Sequence, residues 1–291
     1  MAPSVYDVIT ARIIEKLEAG CVPWRKPWNA ETGAPRNIRG TFYRGVNVFL
    51  LGCQSYSDPR WLTFNQARAL GGSVRKGERA TPVVFWKWLD VMDPGTKGTE
   101  RVPMLRYYSV FNVEQTDGLN LPTLEKPARE HQPIEACERI AKGYTGGPSL
   151  IQGGGVACYS PSSDIVRMPQ PESFTDPESY YSVLYHELAH STGHRSRLAR
   201  DGVVNPVRFA SHDYSREELV AEMCAAFLAG TAGIEPKTLD NSASYIASWL
   251  RVLRKDNRAV VIAAGQAQRA ADWILGMRRT EEHEAPLLNA A

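Results

Sequence analysis

Residues 183–194 read Val183-Leu184-Tyr185-His186-Glu187-Leu188-Ala189-His190-Ser191-Thr192-Gly193-His194, and the spacing of the first two histidines decides the reading of the C-terminal half. Residues four apart stand one above another on a helix, so His186 and His190 can present both imidazoles to a single ion at about 2.0–2.1 Å. Glu187 follows the first histidine directly, where its carboxylate can take a proton from water polarised by that ion. Upstream, Asp176-Pro177 offers an N-cap residue with proline at the first helical position, and Gly193 offers a stop, so one helix should carry the whole motif. Zinc is the expected ion, with manganese or another divalent cation as the alternative. The bland alternative is a surface helix with two chance histidines. With six His in the chain, composition alone makes that match rare, on the order of one chain in a hundred.

A catalytic zinc site usually takes three protein ligands and leaves a fourth position to water. His194 lies four residues beyond His190 but past the glycine stop, and Ser196 stands where a metzincin pattern needs histidine. The preferred third ligand is Glu218, in Ser215-Arg216-Glu217-Glu218-Leu219-Val220-Ala221-Glu222, with Glu222 one turn later placed to orient a histidine. Ser215 and Glu218 also form a capping-box pattern that would explain this glutamate without metal, and Glu217, Glu222 and Asp213 remain alternatives. The strand-like run 157–169 just before the motif could pair with an extended peptide by strand addition, or be plain sheet.

Working outward, Ile134–Lys142 has helical character, and Gly153–Pro169 suggests two short strands around Pro161-Ser162-Ser163-Asp164. Further helices are expected from Ser215, over Ser242–Lys255 and over Asn257–Met277, followed by a frayed tail at about 279–291. Residues 119–133, with Pro122, Pro127 and Pro133, have linker composition, which divides the chain into 1–130 and 131–291. In the first part, Val8, Ile9, Ile13, Ile14 and Leu17 predict an amphipathic helix ending at Gly20, and strands are expected over Thr81–Leu89 and Leu105–Val113. The expected fold class is α+β, in two domains.

The hydrophobic fraction of 43% and charged fraction of 23% are ordinary globular values, which exclude wholesale disorder. No apolar run reaches the roughly 18 residues of a membrane span, and the N-terminus lacks a signal-peptide pattern, so a cytosolic protein without a membrane partner is expected. The five cysteines are scattered without a CxxC pair, which argues for reduced thiols. Residues 1–125 hold 16 Lys and Arg against 12 Asp and Glu, a modest basic excess. Five of the seven tryptophans fall in the first 90 residues: Trp24, Trp28, Trp61, Trp86 and Trp88. They are interleaved with Arg25, Lys26, Arg44, Arg75, Lys76 and other cations, the mixture that lets bases stack on rings while phosphates meet charges. Alternation in Phe85-Trp86-Lys87-Trp88 sets both tryptophans on one strand face, as a stacking platform or as core.

Several stretches together resemble the ArdC-type plasmid antirestriction proteins and the related N-terminal regions of conjugative DNA primases. In the first half they are Tyr6-Asp7-Val8-Ile9-Thr10, Pro23-Trp24-Arg25-Lys26-Pro27-Trp28, Tyr43-Arg44-Gly45-Val46-Asn47, Trp61-Leu62-Thr63-Phe64-Asn65-Gln66-Ala67, Val74-Arg75-Lys76-Gly77-Glu78 and Tyr108–Asn112. In the second half they are Tyr159 with Asp164-Ile165-Val166, His186–His190 with Gly193-His194, and Tyr214–Leu228. The resemblance implies an N-terminal single-stranded DNA-binding domain and a C-terminal zincin-like metallopeptidase domain. It also implies a plasmid-borne role in protecting conjugatively transferred DNA from restriction, with the protein travelling to the recipient cell. Carried onto this chain, it makes His186 and His190 ligands, Glu187 the general base and Glu218 the third ligand. Trp24, Arg25, Lys26, Trp28, Arg44, Arg75, Lys76, Trp86 and Trp88 are the candidate DNA contacts. Competing expectations are a DNA-tethered protease acting on a restriction component or a DNA-linked protein, and a peptidase effector or toxin.

Overall fold

In the computed structural model, residues 3–24, 33–54, 56–92, 99–122, 124, 133–205, 212–235 and 243–277 are described. The side chains at 90–103, 133, 212–215 and 243–245 lie outside that description, as do the expected domain boundary and the C-terminal tail.

The N-terminal apolar spacing forms α1 (Val5–Glu18), opened by a capping box in which Ser4 and Asp7 satisfy each other's backbone N–H groups. Ile9, Ile13 and Leu17, one turn apart, are its buried stripe. The chain continues through β1 (Arg36–Asn37), α2 (Val46–Gly52), β2 (Arg60–Leu62), α3 (Phe64–Ala69) and β3 (Ser73–Val74). A long antiparallel pair follows, β4 (Thr81–Met92) with β5 (Thr99–Asn112), and then β6 (Thr116–Asp117). One sheet has the order β1-β2-β5-β4, and β3 pairs with β6. Asn47 on α2 clamps the open edge of β4, its amide donating to the Val84 carbonyl at 2.8 Å and accepting from the Val84 N–H at 2.7 Å.

The second half runs α4 (Pro133–Gly143), β7 (Ser149–Gln152), β8 (Cys158–Ser160), β9 (Ile165–Met168), α5 (Pro177–Ser191), α6 (Asp201–Val204), α7 (His212–Ala232), α8 (Ala243–Lys255) and α9 (Ala259–Ile274). Its sheet has the order β7-β9-β8, with β8 antiparallel to β9 around the expected turn and β7 added in parallel on the other edge. Helix α7 packs against α4, α5, α6, α8 and α9, and Leu219–Ala229 are accordingly buried on every side. Small residues let it approach α9 closely, with Ala221, Ala225, Ala226 and Ala229 on one helix and Ala263, Ala264, Ala267, Ala270 and Ala271 on the other.

The main core crosses from one half to the other. Ile9, Ile13, Trp24 and Phe49 share a cluster with Phe227, Trp249 and Val260. Phe49 stacks on Phe227 with ring centroids 4.8 Å apart, and Trp24 meets Trp249 edge-on at 5.0 Å. Polar ties join the same surfaces: Arg44 pairs with Asp272, and the Thr10 hydroxyl donates to the Asn257 carbonyl at 2.5 Å.

Candidate metal centre

Asp176 caps α5 by accepting from the Ser179 N–H at 2.8 Å, and Pro177 occupies the first turn. The helix buries nearly every residue from Tyr180 to Ala189, which holds His186 and His190 in fixed rotamers one turn apart. Their Nε2 atoms point at a common centre and lie 3.1 Å apart. Oε2 of Glu218 is 3.3 Å from Nε2 of His186, and Oε1 is 3.4 Å from Nε2 of His190. Donors bound tetrahedrally to one ion at about 2.0–2.1 Å would be separated by roughly 3.3 Å, so these spacings suit a shared ion. His186, His190 and Glu218 form the one cluster of three or more potential ligands among the described residues.

The electrostatics also suit a cation. Burial works against a charged His190, but Glu217 and then Glu218 outweigh it and raise the ring to about 10. His186 is raised in the same way, against burial, chiefly by Glu218. Burial would raise Glu218, yet His186 and His190 hold it well below the usual carboxylate range. A site that favours a proton shared between two imidazoles and a carboxylate also favours the divalent cation that would replace it. Nδ1 of His186 is buried without a hydrogen-bond partner among the described residues, and Oε1 of Glu222 stands 3.6 Å from it. Burial raises the Glu222 carboxyl, with His186 opposing. The set of two imidazoles and one carboxylate therefore fits a divalent ion, with Glu187 buried on the same helix.

The helical start of α7 at His212 puts Ser215 inside the helix, so the capping-box account of Glu218 does not hold. Glu217, an alternative ligand from the sequence, faces Nδ1 of His190 at 3.2 Å and not the centre. Its other partner is Arg200, buried and outside every sequence pattern. The side chain of Asp213 is not described, and His194 lies beyond the end of α5 with its Nδ1 on the Ser196 hydroxyl at 2.8 Å. The turn between β8 and β9 is tied to this region by Asp164, which takes a positive φ of 52° and receives Arg197 and the Tyr159 hydroxyl. Arg197 also donates to the Ser191 carbonyl at 2.7 Å, fastening the sheet to the end of α5.

The candidate DNA contacts divide. Trp86 and Trp88 are 36% and 41% exposed on one face of β4, and Tyr107 of β5 is 47% exposed on the same face. Lys87 and Arg106 are exposed on the opposite face. Lys76 is exposed, whereas Arg75 leans on Glu78 at 2.8 Å and on the Glu114 carbonyl at 2.6 Å. One expectation is corrected. Trp24 is 0% exposed, because its ring fills the gap between Phe49 and Trp249, and it offers no face to a base. Arg44, part-exposed, pairs with Asp272 of α9. Arg25, Lys26 and Trp28 lie outside the described residues. No described helix is long and apolar enough to cross a membrane.

Two family models match the chain: the N-terminal domain of the anti-restriction factor ArdC over residues 3–111, and a zincin-like metallopeptidase over residues 138–266. A DNA primase TraC from Escherichia coli is 34% identical over 303 residues, an alignment covering 96% of this chain and 28% of the primase. This chain thus spans little more than a quarter of that relative. The uncharacterized protein y4eC from Sinorhizobium fredii (strain NBRC 101917 / NGR234) is 37% identical over 286 residues, covering 93% of this chain and 91% of that protein. The crystal structure of the antirestriction protein ArdC from plasmid R388 superposes with a TM-score of 0.75 in its metal-free form, at 35% identity over 94% of this chain and 98% of that one. Its Mn(II)-bound form gives a TM-score of 0.74.

Proposed function

Because the chain belongs to the ArdC family of antirestriction proteins and carries a zincin-like metallopeptidase domain, we propose that it binds single-stranded DNA without strong sequence preference and shields incoming conjugative DNA from host restriction. The observation that carries this reading is the exposed aromatic face of the β4–β5 pair, Trp86, Trp88 and Tyr107, with Lys87 and Arg106 on the same ribbon. Bases can stack on such rings while cations follow the phosphates. Strand bound in this way is withheld from the duplex form that restriction enzymes cut, and that protection needs no catalysis.

The ligands proposed for a divalent ion are His186, His190 and Glu218. Bound there, the ion would supply Lewis acidity toward a peptide carbonyl. Glu187 would accept and return the proton of the attacking water, and Glu222 would steady His186. Zinc and manganese both suit this donor set, and the R388 relative is seen with Mn(II). A second reading, a DNA-tethered protease, draws its support from the same cluster.

Conjugation into a restricting recipient separates the two. A Trp86→Ala/Trp88→Ala variant should lose protection and single-strand affinity together, whereas Glu187→Gln should keep both. Loss of protection by Glu187→Gln with DNA affinity intact would replace shielding by proteolysis. Equal affinity for single strand and duplex, measured by fluorescence anisotropy, would remove the binding proposal.

A further inference from the structure

We infer that Arg200 is a positioning residue for the metal centre, acting through Glu217 to select the ring tautomer in which Nε2 of His190 is free to bind the ion. The inference rests on the proposal that His186, His190 and Glu218 are the ligands.

Neutral imidazole carries its proton on one nitrogen and its lone pair on the other, so Nε2 can ligate only when Nδ1 holds the proton. The atom facing Nδ1 of His190 is Oε1 of Glu217, at 3.2 Å. An ionised carboxylate only accepts, so it requires a donating Nδ1–H and leaves the lone pair at Nε2. On its other side Glu217 meets the guanidinium of Arg200, which only donates, so neither neighbour calls for a proton on the carboxylate.

Arg200 grips this carboxylate with a fork, Nε donating to Oε2 at 3.0 Å and Nη2 to Oε1 at 2.6 Å. The same guanidinium donates from Nη2 to the Ala189 carbonyl at 2.8 Å and from Nη1 to the Thr192 hydroxyl at 2.5 Å. It therefore links the last turn of α5, which holds His190, to the turn of α7 that holds Glu217. Lysine, a single point of charge, cannot reproduce that planar set of donors. The two side chains are 5% and 9% exposed, so water does not compete for the fork. Two glycines make room for it. A Cβ on Gly193 would stand 2.5 Å from Cγ2 of Val203 and 3.1 Å from Nη2 of Arg200, and one on Gly202 would stand 3.1 Å from Cβ of Glu217.

A buried Arg–Glu pair could also serve stability alone, and a double-mutant cycle on metal affinity distinguishes the two roles. Full-length, metal-free protein is titrated with Mn(II) or Zn(II) chloride by calorimetry, as wild type, Arg200→Lys, Glu217→Gln and the double variant. Folding is checked by circular dichroism. Arg200→Lys and Glu217→Gln should each weaken binding by roughly 10- to 100-fold. The double variant should match Glu217→Gln within about twofold, because Arg200 acts only through that carboxylate. Losses that multiply, or a folded Arg200→Lys variant with wild-type affinity, overturn the inference while leaving the ligands in place. Wild type that binds neither ion overturns the ligand assignment itself, and this inference with it. If Arg200→Lys does not fold, Thr192→Val takes its place in the cycle: it removes the anchor of Nη1, together with the bond the hydroxyl donates to the Ala189 carbonyl at 2.6 Å. It should weaken binding about fivefold, the worth of one hydrogen bond, in wild type and not at all beside Glu217→Gln. Unchanged affinity of Thr192→Val in the wild-type background would then overturn the inference.

Discussion

Removing either imidazole should empty the proposed centre. His186→Ala or His190→Ala is expected to abolish stoichiometric Mn(II) and Zn(II) uptake, read by calorimetry, while far-ultraviolet circular dichroism stays near wild type. Glu187→Gln should retain the ion and lose any peptide hydrolysis, so metal content and turnover separate at one residue. Asp164 gives a different test. Arg197 holds its carboxyl below the usual range, so its contribution to stability is fully present above about pH 4, where the unfolded chain's aspartate is ionised. That contribution is lost as pH falls through the lower, folded-state pKa. Asp164→Asn tolerates the positive φ but leaves Arg197, whose side chain is 3% exposed, without its charge partner. We expect it to be destabilised by about 1–3 kcal/mol at pH 7, a value reduced for the partial exposure of Asp164, and to converge with wild type in melts at increasingly acid pH.

At the scale of the element, the β4–β5 ribbon should behave as a stacking surface. Trp86→Ala and Trp88→Ala should each weaken single-strand binding by about 1–3 kcal/mol, and Lys87→Ala should lower the salt dependence by about one phosphate contact. Anisotropy titrations at several salt concentrations measure both. The alternation of Phe85-Trp86-Lys87-Trp88 made the two faces legible in the sequence, and the four-residue spacing made α5 and its histidines legible. Trp24 was misplaced because a ring beside cations does not reveal which side of the chain turns inward; here Phe49 and Trp249, remote in sequence, draw it in. Arg200 had no periodic signal at all, since it sits between helices and finds Glu217 only through the tertiary fold. Strand β7 escaped for a related reason: all four of its residues are exposed, so it shows no alternation. Helix α2, seven residues long, is hidden among glycines and asparagines and is stabilised by burial of Val48, Phe49, Leu50 and Leu51.

At the scale of the whole molecule, the two matched family regions share one hydrophobic core. Phe49→Ala, in the N-terminal half, should cost about 3–5 kcal/mol and lower the melting temperature of the entire chain in one transition. Separate transitions for the two halves by calorimetry would contradict this. A fragment ending near residue 130 would expose Ile9, Ile13, Trp24 and Phe49, and is expected to melt earlier than the intact protein or to aggregate.

The stacked rings of Phe49 and Phe227 also bear on how such genes can recombine. A crossover that joined this N-terminal half to an unrelated second half would set Phe49 against a helix not shaped to receive it. The halves are expected to be inherited together, with fusions tolerated at the outer ends more readily than exchange in the middle.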